Sequence, residues 1–264
     1  MSEAPAQPAE DTPRTAPDEG SGGRVVGWVL LGTLAATVCL WPFDGTVQSW
    51  ARSLPLGGDV KRELEALQQF GQLGSLVIVS AIIGLGVPRL RRRLLDLFTA
   101  SLVTWGVCIA LKVLIGRPRP RDAMLEWYGP HEVLGPLGAH PLGAGEGVVQ
   151  PWQLWHGSAS DLWSMPSSHT AFAFMLAVFL ATLFPRTRLV WLVWAGIVGV
   201  ARIVLGAHWP SDVIAGAGVG VCVGLVATRD LWGVRSLDVI WRSAIDRSAP
   251  PAAPRVRQRP PADL

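Results

Sequence analysis

The chain reads as an all-α polytopic membrane protein, a six-transmembrane-helix bundle, on three observations. Half of its 264 residues are hydrophobic and only 16% are charged, against about 25% charged in an ordinary soluble domain. The apolar residues are gathered into six runs of roughly membrane-spanning length. Many of the 13 tryptophans lie near the ends of those runs, as in the aromatic belts of the two membrane interfaces.

Taken in order, residues 1–23 are rich in Pro, Ala, Glu, Asp and Gly and predict a disordered N-terminal tail. The six-span domain is expected over residues 24–228. Its first run, 25–41, ends in Trp-Pro-Phe-Asp and not in a small-residue cleavage site, so it reads as a retained anchor. Residues 44–70 are polar, with a short amphipathic helix expected over 60–70. The second run is 71–87, followed by a dense basic cluster from Pro88 to Arg93. The third, 97–115, carries Lys112 near its far end. Residues 116–165 form a long connection rich in Gly, Pro and Trp. Its Trp127, Tyr128, Trp152, Trp155 and Trp163 are expected to form an interfacial lid, and its three histidines take no role. The fourth run, 170–184, ends at basic Pro185 to Arg188; the fifth is 189–207 and the sixth 213–227. Residues 229–264 are expected to be a basic, proline-rich cytoplasmic tail.

Charge sets the orientation. Of the 23 basic residues only Lys61 and Lys112 are lysines, and the arginines cluster after the second and fourth runs and in the C-terminal tail. By the positive-inside rule both termini are then cytoplasmic. Consequently the end of run three, the start of run four and the end of run five emerge together on the outer face. Cys39, Cys108 and Cys222 lie inside apolar runs without metal-ligand spacing, which predicts neither a disulfide framework nor a zinc site.

Those three outer places hold the unusual polar residues, and ionisable groups at such depth cost enough free energy to mark function. At the first, Lys112 precedes Arg117, Arg119 and Arg121; concentrated positive charge on the outer side suits a phosphate-bearing ligand. Arg117 is expected to anchor the chain at the interface. At the second, Pro166-Ser167-Ser168-His169 leads into an apolar helix. With Pro166 at the first helical position, the helix start offers backbone donors to an anion. At the third, Arg202, His208 and Asp212 surround a turn. Pro210 should stop the incoming helix near His208, and Ser211 or Asp212 should cap the next. A carboxylate four residues after the histidine can hold one ring nitrogen while the other faces a substrate; equally, the pair could face lipid headgroups.

Together the ordered patterns Lys-x6-Arg-Pro, Pro-Ser-Ser-His and Arg-x5-His-x3-Asp resemble the type 2 phosphatidic acid phosphatase (PAP2) superfamily in its membrane-bound lipid phosphatase branch, over roughly residues 60–228. The resemblance implies phosphate binding by Lys112, Arg119, Ser167, the backbone N–H of Ser168 and Arg202. It also implies His169 as general acid, His208 as nucleophile and Asp212 as its orienting partner. The spacing of six selects Arg119 over Arg117. Two positions depart from the pattern: Ser168 stands where glycine is common, and Ala201 where a serine often precedes the arginine.

The implied activity is hydrolysis of a lipid phosphate or diphosphate through a phosphohistidine, with no metal and no cofactor. Undecaprenyl diphosphate, phosphatidic acid and phosphatidylglycerol phosphate are the candidate lipids for a bacterial source, whose inner membrane would hold the protein with its site facing outside. The bilayer and the lipid substrate are the expected partners, nucleic acid is not, and the sequence carries no signal for oligomeric state. The alternatives are a phosphatase for a soluble phosphoester or diphosphate, and a non-catalytic protein that binds or transports phosphorylated lipid.

Overall fold

The computed structural model describes residues 20–121, 128–142 and 147–244. Nearly all of residues 1–23, Trp127 and the end of the C-terminal tail lie outside them, so the expectation of a disordered N-terminal tail falls on residues it does not reach.

The chain is a multi-pass, all-α membrane protein. Helix α1 (Gly20–Leu40) passes through one tight turn into α2 (Asp44–Ser53). Helix α3 (Gly58–Leu67), a second tight turn (Gln68–Gly71) and α4 (Leu73–Gly86) follow, and the two arms of this pair are bent by 59°. Helix α5 is Arg93–Ile115, α6 Ser168–Leu183, α7 Arg188–Val204, α8 Pro210–Asp230 and α9 Trp232–Ala244. The long connection between α5 and α6 contains a two-residue antiparallel ladder, His140–Pro141 (β1) against Val148–Val149 (β2), with His140 opposite Val149.

Among the described residues four helical stretches are long and apolar enough to cross a membrane: Gly23–Ser53, Arg93–Ile115, Pro185–Val204 and Pro210–Asp230. The bent pair makes a fifth if counted as one span. Helix α6 is apolar but only 16 residues long, about 24 Å at 1.5 Å per residue, somewhat short of a hydrocarbon core of about 30 Å. Its composition explains its position. Being apolar all round, it suits the interior, and Ala171, Ala173, Met175, Leu176, Ala177 and Phe179 are all fully buried.

Lipid tails are as apolar as leucine, so helices in a bilayer associate by close packing and not by escape from water. Helix α8 meets α6 along Gly216, Gly220 and Gly224, spaced one turn apart. A Cβ at Gly220 would collide with the Ala171 carbonyl, one at Gly216 with the Ser167 carbonyl, and one at Gly224 would come within 2.9 Å of Val178 Cβ. Conversely, Leu30, Leu31 and Leu34 of α1 and Ile78, Ile82 and Leu85 of α4 point outward, as lipid-facing residues should.

Two stretches differ from the sequence expectation. Residues 44–70 hold two helices and not one, and Phe70 falls in the turn after α3. Residues 232–244, expected as tail, are helical. Leu231 adopts a left-handed φ of 53° that ends α8, and the buried Asp96 carboxylate of α5 accepts the N–H groups of Gly233 and Val234 at 2.9 and 3.2 Å. Arg93 pairs with Asp96 at 2.8 Å and donates to the Thr228 carbonyl at 3.1 Å. The start of α9 is thus capped by a residue far away in sequence.

At the opposite end, Arg117 overturns its reading as an interfacial anchor. It is completely buried. Its Nη2 donates to Asp44 Oδ2 at 2.7 Å and to the Pro130 carbonyl at 2.6 Å. Its Nη1 donates to Ser211 Oγ at 2.7 Å and to Asp212 Oδ1 at 2.6 Å. The guanidinium lies 4.1 Å from the Trp41 ring centroid and 5.5 Å from that of Trp209. Asp44 Oδ1 also accepts the Ser211 N–H at 2.9 Å. One cation therefore joins the start of α2, the start of α8 and the connection after α5. Removing one partner of such a buried pair costs about 3–5 kcal/mol, and lysine cannot reproduce the planar fork. Arg117→Ala should lower the thermal unfolding temperature in detergent by that equivalent and Arg117→Lys by part of it; an unchanged transition in both would show that the network does not hold the fold.

Candidate active site

Three short stretches converge at one end of the bundle, where α5 ends, α6 begins and α7 ends. The first begins in the last turn of α5. Gly116, in the left-handed region at φ 58°, donates its N–H to the Lys112 carbonyl and turns the chain out of the helix. Lys112 is buried and donates from Nζ to the Trp163 carbonyl at 2.7 Å. Pro118 and Pro120 keep the next residues extended, and Arg119 points away from the Arg117 network. Its Nε donates to the Ser160 carbonyl at 2.8 Å, its Nη1 to the Ala207 carbonyl at 3.4 Å, and its backbone N–H to the Asp161 carbonyl at 2.8 Å. Burial and the neighbouring Arg121 lower the Arg119 pKa to about 10, which leaves it charged at neutral pH.

The second stretch precedes α6. The helix starts at Ser168 with Ser167 as the capping position, so Pro166 lies two residues outside it and not at its first position as expected. Ser167 is buried; its N–H donates to the Asp212 carbonyl at 3.0 Å and its hydroxyl accepts from Thr170 Oγ1 at 3.0 Å. Ser168 is the first residue of the helix. His169 follows in the first turn, with Nε2 2.7 Å from Gln72 Nε2.

The third stretch is the turn between α7 and α8. Helix α7 ends at Val204, earlier than Pro210 alone requires. Gly206 takes a φ of 67°, and the N–H groups of Ala207 and His208 both donate to the Arg202 carbonyl, at 3.0 and 3.2 Å. Helix α8 then begins at Pro210 with Trp209 as its cap residue. Asp212 sits in the first turn and accepts the Trp209 N–H at 2.9 Å. It does not sit at the capping position itself.

His208 is buried, and its Nδ1 lies 2.7 Å from the Ser164 carbonyl and 3.7 Å from Asp212 Oδ2. A carbonyl can only accept, so Nδ1 carries the ring proton and Nε2 the lone pair. The expected direct hold of Asp212 on the imidazole is replaced by a relay. Ser164 takes the imidazole N–H with its carbonyl and donates its hydroxyl to Asp212 Oδ2 at 2.5 Å. Burial, reinforced by the charges of Arg119, Arg202 and Lys112, holds the His208 pKa well below the ordinary histidine value.

The charges of Arg119, Arg202 and Lys112 thus all bear on His208. The remaining cation, Arg202, is nearly buried; its Nη1 donates to Gln68 Oε1 at 2.5 Å, while its Nε has no hydrogen-bond partner among the described residues. Gln68, Gln72, Ser164, Asp44 and Arg117 are the participants that sequence reasoning missed. Gln68 is an ordinary polar residue in a polar stretch and carried no signal; Gln72 is a lone polar residue at the start of the second apolar run and could have been singled out. Asp44, next to the end of an apolar run, could have been paired with the excess arginine. Of the expected lid, Trp163 supplies the carbonyl that holds Lys112, and Trp152 and Trp155 form an edge-on pair with ring centroids 5.7 Å apart.

An apolar groove of about 620 Å³ opens beside this cluster. Leu73, Leu76 and Val77 of α4, Leu97, Phe98 and Trp105 of α5, and Phe172 of α6 line its walls, and Gln72, Ser168 and His169 form its polar end.

Stretches of the chain are similar to known proteins. Lipid A 1-phosphatase of Rhizobium johnstonii is 40% identical over 63 residues, 24% of this chain and 26% of its own length. The Bacillus licheniformis protein called bacitracin transport permease protein BcrC is 42% identical over 62 residues, 24% of this chain and 30% of its own. The chain therefore matches between a quarter and a third of the length of these curated relatives. Among solved structures, Aquifex aeolicus LpxE has a TM-score of 0.49 and 19% identity, covering 69% of this chain and 93% of its own. The transmembrane PAP2 type phosphatidylglycerolphosphate phosphatase of Bacillus subtilis has the same score and identity, covering 77% and 94%. A family model described as the PAP2 superfamily matches residues 93–236, more than half of the chain and a range that holds every residue of the three converging stretches. The chain belongs to the PAP2 superfamily.

Proposed function

We propose that this protein is an integral membrane phosphatase that hydrolyses a lipid phosphate or diphosphate through a phosphohistidine intermediate, without a metal. The observation that carries the reading is a neutral, buried imidazole with its lone pair on Nε2, set among three cations beside an apolar groove. Family membership supports phosphoryl chemistry; the groove supports a lipid as its carrier.

The chemistry follows from charge. Nε2 of His208 attacks phosphorus, the phosphorus–oxygen bond to the leaving group breaks, and protonated His169 gives its proton to the departing oxygen. Lys112, Arg119 and Arg202, with Ser167 and the backbone N–H of Ser168, stabilise the phosphoryl oxygens; such preorganised charge is usually the largest single contribution in this chemistry. As His208 becomes phosphorylated its ring turns cationic, and the Ser164 carbonyl with Asp212 behind it stabilises that charge. Water activated by His169 then attacks the phosphohistidine and releases phosphate. These cations supply the charge stabilisation for which other phosphatases use divalent ions, so activity should persist in chelator.

We further propose six spans, α6 serving as the fourth, with both termini in the cytoplasm and the site at the outer boundary of a bacterial inner membrane. The basic stretches Arg89 to Arg93 and Arg186 to Arg188 support that orientation. Phosphatidic acid, phosphatidylglycerol phosphate and undecaprenyl diphosphate are the lipids to assay first; lipid A phosphorylated at position 1 joins them because the Rhizobium johnstonii relative is called a lipid A 1-phosphatase.

His208→Ala should abolish phosphate release from such a panel, and His169→Ala should lower it by about 10²–10⁴-fold, both without loss of the folded state; substantial turnover by folded His208→Ala would remove the nucleophile assignment. Arg119→Lys should cost on the order of 2–4 kcal/mol in catalytic efficiency, the scale of one lost oxyanion donor, with an unchanged unfolding temperature. Arg117→Lys should show the reverse balance, and a purely kinetic defect there would mean that the phosphate site uses the other Arg-Pro pair. A membrane-impermeant thiol reagent should reach a cysteine introduced near Ala139 from outside intact cells and one near Arg91 only after permeabilisation. Labelling of both from one side would end the six-span scheme.

A further inference from the structure

The bend between α3 and α4 places two amides against the site, and both lie outside residues 93–236, the segment matched by the family model. Gln68 accepts from Arg202, and Gln72 meets His169 nitrogen to nitrogen at 2.7 Å. The approach is fixed by the backbone. Gly71 lies so close to the His169 carbonyl that a Cβ there would collide with it. Gln72 occupies the capping position of α4 in extended geometry, yet its side chain makes no capping bond to that helix. It is committed to His169, at the point where the apolar groove meets the cations.

We infer that Gln72 is the positioning residue for His169, holding the imidazole in line with the leaving group through both protonation states that a general acid must visit. The inference rests on the proposed phosphatase reading. A carboxamide suits the task because it carries both a donor and an acceptor. With its NH2 toward the ring it donates to unprotonated Nε2, as the structure has it. Turned about its last side-chain bond, it offers Oε1 to a protonated Nε2–H. With Nε2–H held on Oε1, the proton lost to the departing oxygen and regained from the attacking water is the one on Nδ1, so it comes and goes without the ring losing its partner. A carboxylate in that place would accept only and would favour the protonated ring. A partner of fixed polarity would therefore shift that balance and not only the geometry.

Leaving-group dependence tests this. An alkoxide needs a proton as it departs, and a nitrophenolate does not. Phosphate release by purified full-length protein is measured from phosphatidic acid in mixed micelles and from p-nitrophenyl phosphate, alongside thermal unfolding. Gln72→Ala should lower kcat on phosphatidic acid by at least about tenfold, the lower range of a general-acid effect, and on p-nitrophenyl phosphate by less than about threefold, with KM for the lipid nearly constant. Gln72→Glu, which keeps the length of the side chain and so avoids a packing defect, should retain turnover of phosphatidic acid with the alkaline limb of its pH–rate profile moved to higher pH. Equal losses on both substrates, or an unmoved alkaline limb in Gln72→Glu, would overturn the inference while leaving the phosphatase reading intact. Wild-type protein that releases phosphate from neither compound, nor from phosphatidylglycerol phosphate, undecaprenyl diphosphate or lipid A phosphorylated at position 1, would overturn that reading and this one with it.

Discussion

Arg117 between Asp44 and Asp212 is the contact on which the site end of the molecule depends. Three fully buried charges are tolerable only because they neutralise one another and because nearly every polar atom around them is hydrogen-bonded. The resulting chain is continuous: Asp44 on α2, Arg117 after α5, Asp212 on α8, Ser164 before α6, and then the imidazole of His208. Four elements that touch nowhere near each other in sequence are drawn to one point. A group with one charge and one donor could not span this set; a planar guanidinium with five donors can.

Around that fixed point the cations are held by backbone carbonyls and amides, not by carboxylates. Lys112 meets the Trp163 carbonyl, Arg119 those of Ser160 and Ala207, and Arg202 the Gln68 amide. Neutral partners fix the geometry without cancelling the charge, so the positive field remains available to an anion. The acidic residues nearest the cluster are instead occupied: Asp212 by Arg117, and Asp161 in part by Arg121 at 2.8 Å. This separation of compensated from uncompensated charge distinguishes the Arg117 network from the proposed phosphate site, although the two are only two residues apart in the chain.

The bundle below serves the same end by different physics. Glycines of α8 let it approach α6 closely enough to set Ser167 against Asp212, so a packing device typical of membrane helices also sets the spacing of two motif stretches. The bend before α4 opens an apolar groove that ends at His169 and at the same time brings Gln68 and Gln72 inward. The apolar groove and the support for the polar site thus come from one irregularity in the helix path.

Composition and periodicity made the all-α membrane class legible, because a bilayer admits only helices or closed barrels and the apolar runs had helical length. Motif order made legible which stretches would converge, because residue types and spacings are read locally. The α9 helix and the second helix of residues 44–70 were not legible: each is short, and α9 depends on a cap from Asp96, more than a hundred residues away. Nor could local reasoning assign Arg117. Two Arg-Pro pairs look alike in sequence, and only the fold decides which guanidinium meets carboxylates and which meets carbonyls. The same holds for His208 and Asp212, whose spacing implied direct contact. Tertiary structure inserts Ser164 between them, because the carbonyl that reaches Nδ1 comes from a segment 44 residues earlier, and no pattern around the histidine encodes its arrival.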